Sequence, residues 1–204
     1  QVVMFNPLYT ENELRPLIED ASPTVILCDV SHVEILAPLA EANGVTHFYT
    51  FDDERVDINQ WRGKRDLKLP DPMPENDDLA LLAYTGGTTG LPKGAIHSHA
   101  MMLAMAKSMD GLYSTSIAGD IWLNVAPVSH IWGWCVSLVA PMYGCNTIVL
   151  VPKFIPDVVI SEIARTKATI FAGGPSVIYN ALLAVPTLKE TDLSQLRLCL
   201  GGGS

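Results

Sequence analysis

Basic residues are scarce. Thirteen Lys and Arg stand against twenty-two Asp and Glu, so the net charge is −9 and the isoelectric point about 4.9. An acidic surface repels nucleic acid and anionic lipid heads and excludes both as general partners. An anionic substrate therefore needs a local positive pocket. The four cysteines, Cys28, Cys135, Cys145 and Cys199, form no C-x-x-C pair and each lies in an apolar run. That argues against a zinc site or a disulfide frame and for buried thiols in a reducing cytoplasm. A secretory leader is lacking, since Val2 to Phe5 already reads as strand. Internal repeats and low-complexity tracts are lacking too. From Ile121 to Pro152 there is no charged residue at all, but Asn124, Pro127, His130, Pro141, Gly144 and Asn146 interrupt the run. A membrane helix needs about 20 continuous apolar residues, so this stretch reads as a buried β-α-β unit and no integral membrane segment is expected. Peripheral contact is the one membrane role left open to a cytoplasmic protein, and no basic amphipathic helix supports it.

What is present is a well-patterned core. Apolar residues make up 49% and charged residues 17% of the chain, the composition of a packed globular body. Thr10 with Glu13, and Ser31 with Glu34, read as capping boxes opening helices that run to about Ala21 and Ala42. Short apolar strands are expected at Val25–Cys28 and Val45–Thr50. The polar stretch Asp52–Asp78, with Pro70, Pro72 and Pro74, reads as a surface connection. Beyond it, strands at Leu79–Thr85, Ile121–Val125, Thr147–Val151, Thr169–Ala172 and Leu196–Leu200 alternate with helices at Ala100–Ile117, Ile131–Met142, Val158–Arg165 and Ser176–Ala184. Such alternation predicts an α/β fold with parallel β-sheets sandwiched by helices. It divides into part of a first lobe plus connection over 1–78 and a second lobe over 79–204.

The chemistry concentrates in Tyr84-Thr85-Gly86-Gly87-Thr88-Thr89-Gly90-Leu91-Pro92-Lys93-Gly94, where four glycines, three hydroxyls and one lysine lie in eleven residues. Glycines let backbone N–H groups approach phosphate oxygens closely. Thr85, Thr88 and Thr89 add hydroxyl donors, and Lys93 adds a point charge. The order Lys-Gly-Ala excludes the common P-loop, and no G-x-G-x-x-G dinucleotide fingerprint occurs. Elsewhere His97 and His99 form an H-x-H pair without an apparent third metal ligand, and Met101, Met102, Met105 and Met109 fall near helical spacing, as core packing requires.

The eleven-residue loop resembles the signature of the adenylate-forming superfamily, whose common version has Ser where this chain has Gly86; the Gly form looks like the long-chain fatty-acid–CoA ligase branch. The resemblance extends along nearly the whole chain. Asn6-Pro7-Leu8-Tyr9-Thr10 resembles the family's segment before an early helix. Pro127-Val128-Ser129-His130-Ile131-Trp132-Gly133 resembles its Pro-x-x-His-x-x-Gly segment. Thr169 to Pro175 with Tyr179 to Leu183 reads like the fatty-acid branch, and Leu196-Arg197 through Gly201-Gly202-Gly203 resembles the strand and glycine turn that pack on nucleotide and acyl group.

The resemblance implies ATP-dependent activation of a carboxylic acid to acyl-AMP, then transfer to coenzyme A. It puts Thr85, Gly86, Gly87, Thr88, Thr89, Gly90, Pro92, Lys93 and Gly94 on the phosphates, with Mg²⁺ clamped between phosphates near Thr88, and Gly201 and Gly202 on the nucleotide. His130, Trp132, Trp134, Gly202 and Gly203 are implied to line the acyl site, and Lys93 and His130 to be catalytic. His130 as a plain helix cap, and the two tryptophans as core aromatics, are the alternatives that remain open. No acid stands in Val128-Ser129-His130 to hold an ammonium, which disfavours an amino-acid-activating domain. Aryl or short-chain acids, and a nucleotide-binding module without catalysis, stay as rivals. The family's Tyr-Gly-x-Thr-Glu segment, its ribose-binding Asp and its mobile C-terminal domain with a catalytic Lys are not in this chain. Both ends read as cut from a longer polypeptide. The isolated chain is expected to have little ligase activity, and the parent to act on small molecules, with room for a homodimer.

Overall fold

The computed structural model describes residues 1–51, 71–85, 93–115 and 119–202. They form two compact units, Gln1–His97 and Ser98–Ser204. In the first, β1 (Val2–Met4) leads to α1 (Glu11–Ala21). The capping box at its start is formed: Glu13 accepts hydrogen bonds from the Thr10 N–H at 2.8 Å and the Thr10 hydroxyl at 2.7 Å. Leu14, Leu17 and Ile18, at helical spacing, are buried. Then follow β2 (Val25–Asp29), a 3₁₀ turn, α2 (Val33–Ala42) and β3 (His47–Phe51), with β2 and β3 pairing in parallel. Ile26 and Cys28, on one face of β2, join Leu14, Ile18, Leu36 and Leu39 in one core. The expected cap at Ser31 is not made. Asp29 accepts from the Ser31 N–H at 2.9 Å, while the Ser31 hydroxyl meets the His32 ring at 3.0 Å, so a 3₁₀ turn precedes the helix.

β4 (Leu79–Thr85) and β5 (Lys93–Ser98) complete a sheet of order β1-β4-β5, with β1 parallel to β4 and Val2 opposite Leu81. β4 and β5, but for its last residue Ser98, thus lie in the first compact unit, Gln1–His97. β4 and β5 belong with β1 because their hydrogen-bonding edge is there. β5 itself is not anticipated by the sequence reading; Lys93-Gly94-Ala95 is too small and polar to announce a strand.

The second unit begins with α3 (His99–Tyr113), capped by the Ser98 hydroxyl, which accepts from the Met101 N–H at 3.3 Å. β6 (Ile121–Asn124), β7 (Thr147–Leu150), β8 (Ile170–Gly174) and β9 (Leu198–Gly201) form an all-parallel sheet of order β7-β6-β8-β9. Between β6 and β7 the chain is helical from Ile131 to Tyr143: α4 (Ile131–Trp134), a π segment (Cys135–Val139) and α5 (Ala140–Tyr143). Pro141 supplies the reason for the wide turn. It has no N–H, and its ring would press on the carbonyl four residues back, so the turn before it opens and Ala140 donates to Cys135, five residues earlier. α6 (Pro156–Thr166) and α7 (Ser176–Leu183) follow β7 and β8.

Alternation along the strands sorts the two faces. Trp122, Ile170, Ala172 and Leu200 pack with Val136 and Ala140. Leu123 and Phe171 pack with Val159, Ile160, Ile163 and Leu182. The sheet is thus covered on both sides, as a parallel sheet requires. The charge-free run is one β-α-β unit, and no described helix is long and apolar enough to cross a membrane. Two expectations about burial are corrected. Cys28 is buried and Cys135 half-buried, but Cys145 and Cys199 are exposed. Of the methionines, Met109 packs on the core whereas Met101 is 56% exposed, because α3 buries only its Ala106 side.

Candidate functional site

The ends of the glycine-threonine loop lie on neighbouring strands of the first unit. Thr85 closes β4, Lys93 opens β5, and the Thr85 hydroxyl donates to the Lys93 carbonyl at 3.4 Å. Gly94 is needed for close approach: a Cβ there would stand 2.8 Å from Leu82 Cδ1 and 3.3 Å from the Tyr84 ring. Tyr84 has its hydroxyl on Asp20 of α1 at 2.5 Å. Burial and the neighbouring Asp20 carboxylate push the Tyr84 phenol well above its ordinary range. Gly86, Gly87, Thr88, Thr89, Gly90, Leu91 and Pro92 lie outside the described residues, as does Gly203.

In the second unit, strand order reverses direction around β6 and β8, and the crevice at the carboxyl ends of such strands is where ligands bind in open α/β sheets. Asn124, buried at the end of β6, folds the next loop: its carbonyl accepts from the Ala126 N–H at 2.8 Å and its amide donates to the Ala126 carbonyl at 2.9 Å. The Pro127 carbonyl then accepts from the His130 N–H at 3.0 Å. A Cβ on Gly133 would stand 2.1 Å from that same carbonyl oxygen. The spacing Pro-x-x-His-x-x-Gly therefore has a local cause: one carbonyl is closed over by a turn and pressed against by the first helical turn, where only glycine fits.

His130 caps α4, its Nδ1 accepting from the Trp132 N–H at 3.1 Å. That bond fixes Nδ1 as the unprotonated nitrogen while the cap holds. His130 itself is exposed. The helix-cap alternative is thus realised in the fold; capping occupies Nδ1 and leaves the other ring nitrogen for chemistry. Trp132 turns its indole onto two glycines. A Cβ on Gly202 would stand 2.7 Å from the six-membered ring, and one on Gly174 would stand 3.4 Å from Nε1. The space above Gly202, implied by the resemblance to face nucleotide and acyl group, holds the Trp132 ring. The Trp132 indole Nε1–H, unlike the backbone N–H, is buried and has no hydrogen-bond partner among the described residues. Trp134 is half-buried and its N–H donates to the His130 carbonyl at 2.9 Å, a full helical turn apart as expected. Gly201 closes β9, and the N–H of Gly202 just after it donates to the Gly174 carbonyl at 3.0 Å.

Two features escape sequence reasoning. Tyr179 of α7 donates to the Leu200 carbonyl at 2.5 Å and sits where a Gly173 side chain would be, so it clamps β8 to β9 behind the glycines. Burial, with the Cys199 charge beside it, pushes its phenol up to about 12. Asp120, Thr169 and Arg197 form an ion pair at the opposite end of the sheet. His99 opens α3, and the described residues hold no group of three or more His, Cys, Asp or Glu able to bind a metal. They offer Mg²⁺ no cage of their own. The site expected near Thr88 lies outside the described residues.

Comparison with known proteins agrees with this geometry. The chain matches the AMP-binding enzyme family over residues 1–204, and it belongs to that family. It is 30% identical to a long-chain-fatty-acid–CoA ligase of Bacillus subtilis, an alignment covering 100% of this chain and 42% of that protein. With 4-coumarate–CoA ligase 3 of rice it shares 28% identity over 98% of this chain and 36% of that one. Among solved structures, ATP-bound MatB from Rhodopseudomonas palustris superposes with a TM-score of 0.85 at 30% identity, covering 98% of this chain and 39% of that one. The chain therefore spans about two-fifths of the length of the relatives it matches.

Proposed function

We propose that the full-length protein to which this chain belongs is an AMP-forming acid–CoA ligase acting on fatty acids. The observation that carries the proposal is the cluster at the carboxyl end of the sheet. A helix-capping histidine stands beside a tryptophan that lies on two glycines with its indole N–H unpartnered. A buried donor without an acceptor is costly, and a substrate carboxylate or acyl-adenylate oxygen would supply one.

In the reading, the carboxylate oxygen bonds to the α-phosphorus of ATP, the α–β bridging bond breaks, and pyrophosphate leaves with the electron pair. The thiol of coenzyme A then bonds to the acyl carbon, AMP departs, and the thiol proton passes to base or solvent. The first step joins two anions, so positioning and charge neutralisation dominate the barrier. Thr85 and Lys93 carry that role on the phosphate side, with Gly86 to Pro92 between them. Mg²⁺ would neutralise phosphate charge, and Thr88 is the residue proposed to help hold it. His130 faces the carboxyl group through Nε2, and Trp132 and Trp134 set the acyl pocket. A cytoplasmic location, peripheral membrane contact and a homodimer of the full-length protein belong to the same proposal.

Two sources support the fatty-acid assignment: the name of the Bacillus relative and Gly86 in place of the common Ser. The second reading, an aryl acid, is favoured by the coumarate ligase among the relatives. Carboxylate-dependent ATP–pyrophosphate exchange on the full-length protein decides between them. Exchange with long-chain acids, shifted about tenfold toward short acids by Trp134→Ala, is the expected result. Exchange with aryl acids alone would replace the substrate class, and silence with every acid would remove the ligase assignment.

A further inference from the structure

We infer that Asp20 and Tyr84 form a positioning pair that holds the two ends of the phosphate loop at the spacing ATP requires. This rests on the reading of the phosphate loop given above and adds a role for its first residue, Tyr84, and for Asp20 of α1, outside the loop. Tyr84 is the penultimate residue of β4 and touches three separate parts of the first unit. Its hydroxyl donates to Asp20 Oδ2 at 2.5 Å and lies 3.4 Å from the Leu17 carbonyl, both at the end of α1. Its ring lies over Gly94 of β5 and tilts against Phe5, just past β1, with centroids 5.9 Å apart. Residues 85 and 93 are the adjoining positions on either strand, and they bond to each other.

The choice of an acid at position 20 is informative. Asp20, Tyr84, Lys93 and Gly94 line one cleft. A carboxylate there opposes polyphosphate, so packing alone gives no reason to place one in the cleft it shares with Lys93. As acceptor of a short phenol bond it has a purpose: hydrogen bonds to charged groups are the stronger kind, and the bond ties the end of β4 to α1, which carries Asp20. α1 is in turn anchored by Leu14, Leu17 and Ile18 in the core. The tie thus transmits the rigidity of a buried helix to the strand ends that launch the loop. A positional error of about 1 Å is expensive in a site of this kind.

The test is ATP affinity of the full-length protein by calorimetry, with the KM values for ATP and for the acid from pyrophosphate exchange. Tyr84→Phe removes the donor and keeps the ring; Asp20→Ala removes the acceptor; Asp20→Asn keeps an acceptor oxygen and drops the charge. Expected are about tenfold weaker ATP binding for Tyr84→Phe and for Asp20→Ala, no further loss in the double variant, recovery in Asp20→Asn, and an unchanged KM for the acid. Wild-type affinity in Tyr84→Phe would overturn the pair while leaving the ligase reading intact. Equal losses for both substrates, with a lowered midpoint of unfolding, would reduce the pair to general stability and overturn it as well. Absence of ATP binding in the wild type would overturn the ligase reading and this inference together.

Discussion

The two ends of the four-stranded sheet in the second unit are built on opposite principles. At the amino ends of β6, β8 and β9 stand Asp120, Thr169 and Arg197. The buried Asp120 carboxylate accepts from the Thr169 hydroxyl at 2.6 Å and from Arg197 Nε at 3.0 Å, with Arg197 Nη2 in closer contact still. Arg197 also donates to the Ser114 carbonyl at 2.9 Å beyond the end of α3, and the Thr169 hydroxyl accepts from the Ile121 N–H at 3.0 Å. Within this triad donors and acceptors are matched, while Thr115 Oγ1 and Asn146 Oδ1 near it are buried without a partner among the described residues. At the carboxyl ends the same strands finish in Asn124, Gly174 and Gly201, followed by Gly202, with an exposed histidine and an unpartnered indole N–H. One end is tied by an ion pair and its hydrogen bonds; the other is built of glycines, a histidine and an indole. Parallel strands make this division natural, since every strand contributes its beginning to one rim and its end to the other.

The largest effect should come from breaking the ion-paired end. Asp120→Ala strands a partly buried guanidinium and is expected to cost about 3 kcal/mol of stability by urea denaturation. Its pH dependence sharpens the point. Burial raises the Asp120 pKa, but the hydrogen bonds from Arg197 and Thr169 and the Arg197 charge outweigh it, and the net shift is downward. A carboxyl lowered on folding contributes stability that is complete above its unfolded value of about 3.9 and is lost as pH falls through the folded value. Asp120→Asn should therefore unfold with a shallower acid dependence below about pH 4 than the wild type, and equal slopes would show that the pair contributes little.

Next in size is Gly133→Ala. In an ordinary helix the change would stabilise by about 1 kcal/mol; here the Cβ meets backbone at 2.1 Å, and a loss of about 2–3 kcal/mol is expected, with the His130 turn displaced. A gain in the unfolding midpoint would show that the Pro127 turn yields easily. A somewhat smaller effect attends Gly202→Ala, whose Cβ would meet the Trp132 ring rather than backbone but whose φ of +158° is one that L side chains rarely adopt. Backbone strain and displacement of the indole should together cost about 1–2 kcal/mol, with a shift in tryptophan emission. An unchanged emission spectrum would mean that Trp132 does not rest on Gly202 in solution.

The carboxyl end was largely legible in the sequence and the amino end was not. Pro127, His130, Gly133, Trp132 and Trp134 lie within eight residues, so their chemistry is written in one local segment whose spacing is set by a turn and a helical repeat. Asp120 lies 49 residues from Thr169 and 77 from Arg197, and nothing local distinguishes it from any other acid before a strand. The same applies to Tyr84 and Asp20, 64 residues apart. β5 was missed because small residues carry no alternation to read.

By itself the sequence determined the alternation of strand and helix, the β-α-β course of the charge-free run, the cap at Thr10 and the residue types of the phosphate loop, because each depends on backbone preference and side-chain periodicity over a few residues. Only the tertiary structure decided that β4 and β5 join β1, that Trp132 occupies the space above Gly174 and Gly202, and that one rim of the sheet is closed by an ion pair. Those outcomes depend on which strand lies beside which, and connections of 19 residues (β7 to β8) up to 74 residues (β1 to β4) leave that choice to the summed burial of two faces rather than to any local signal.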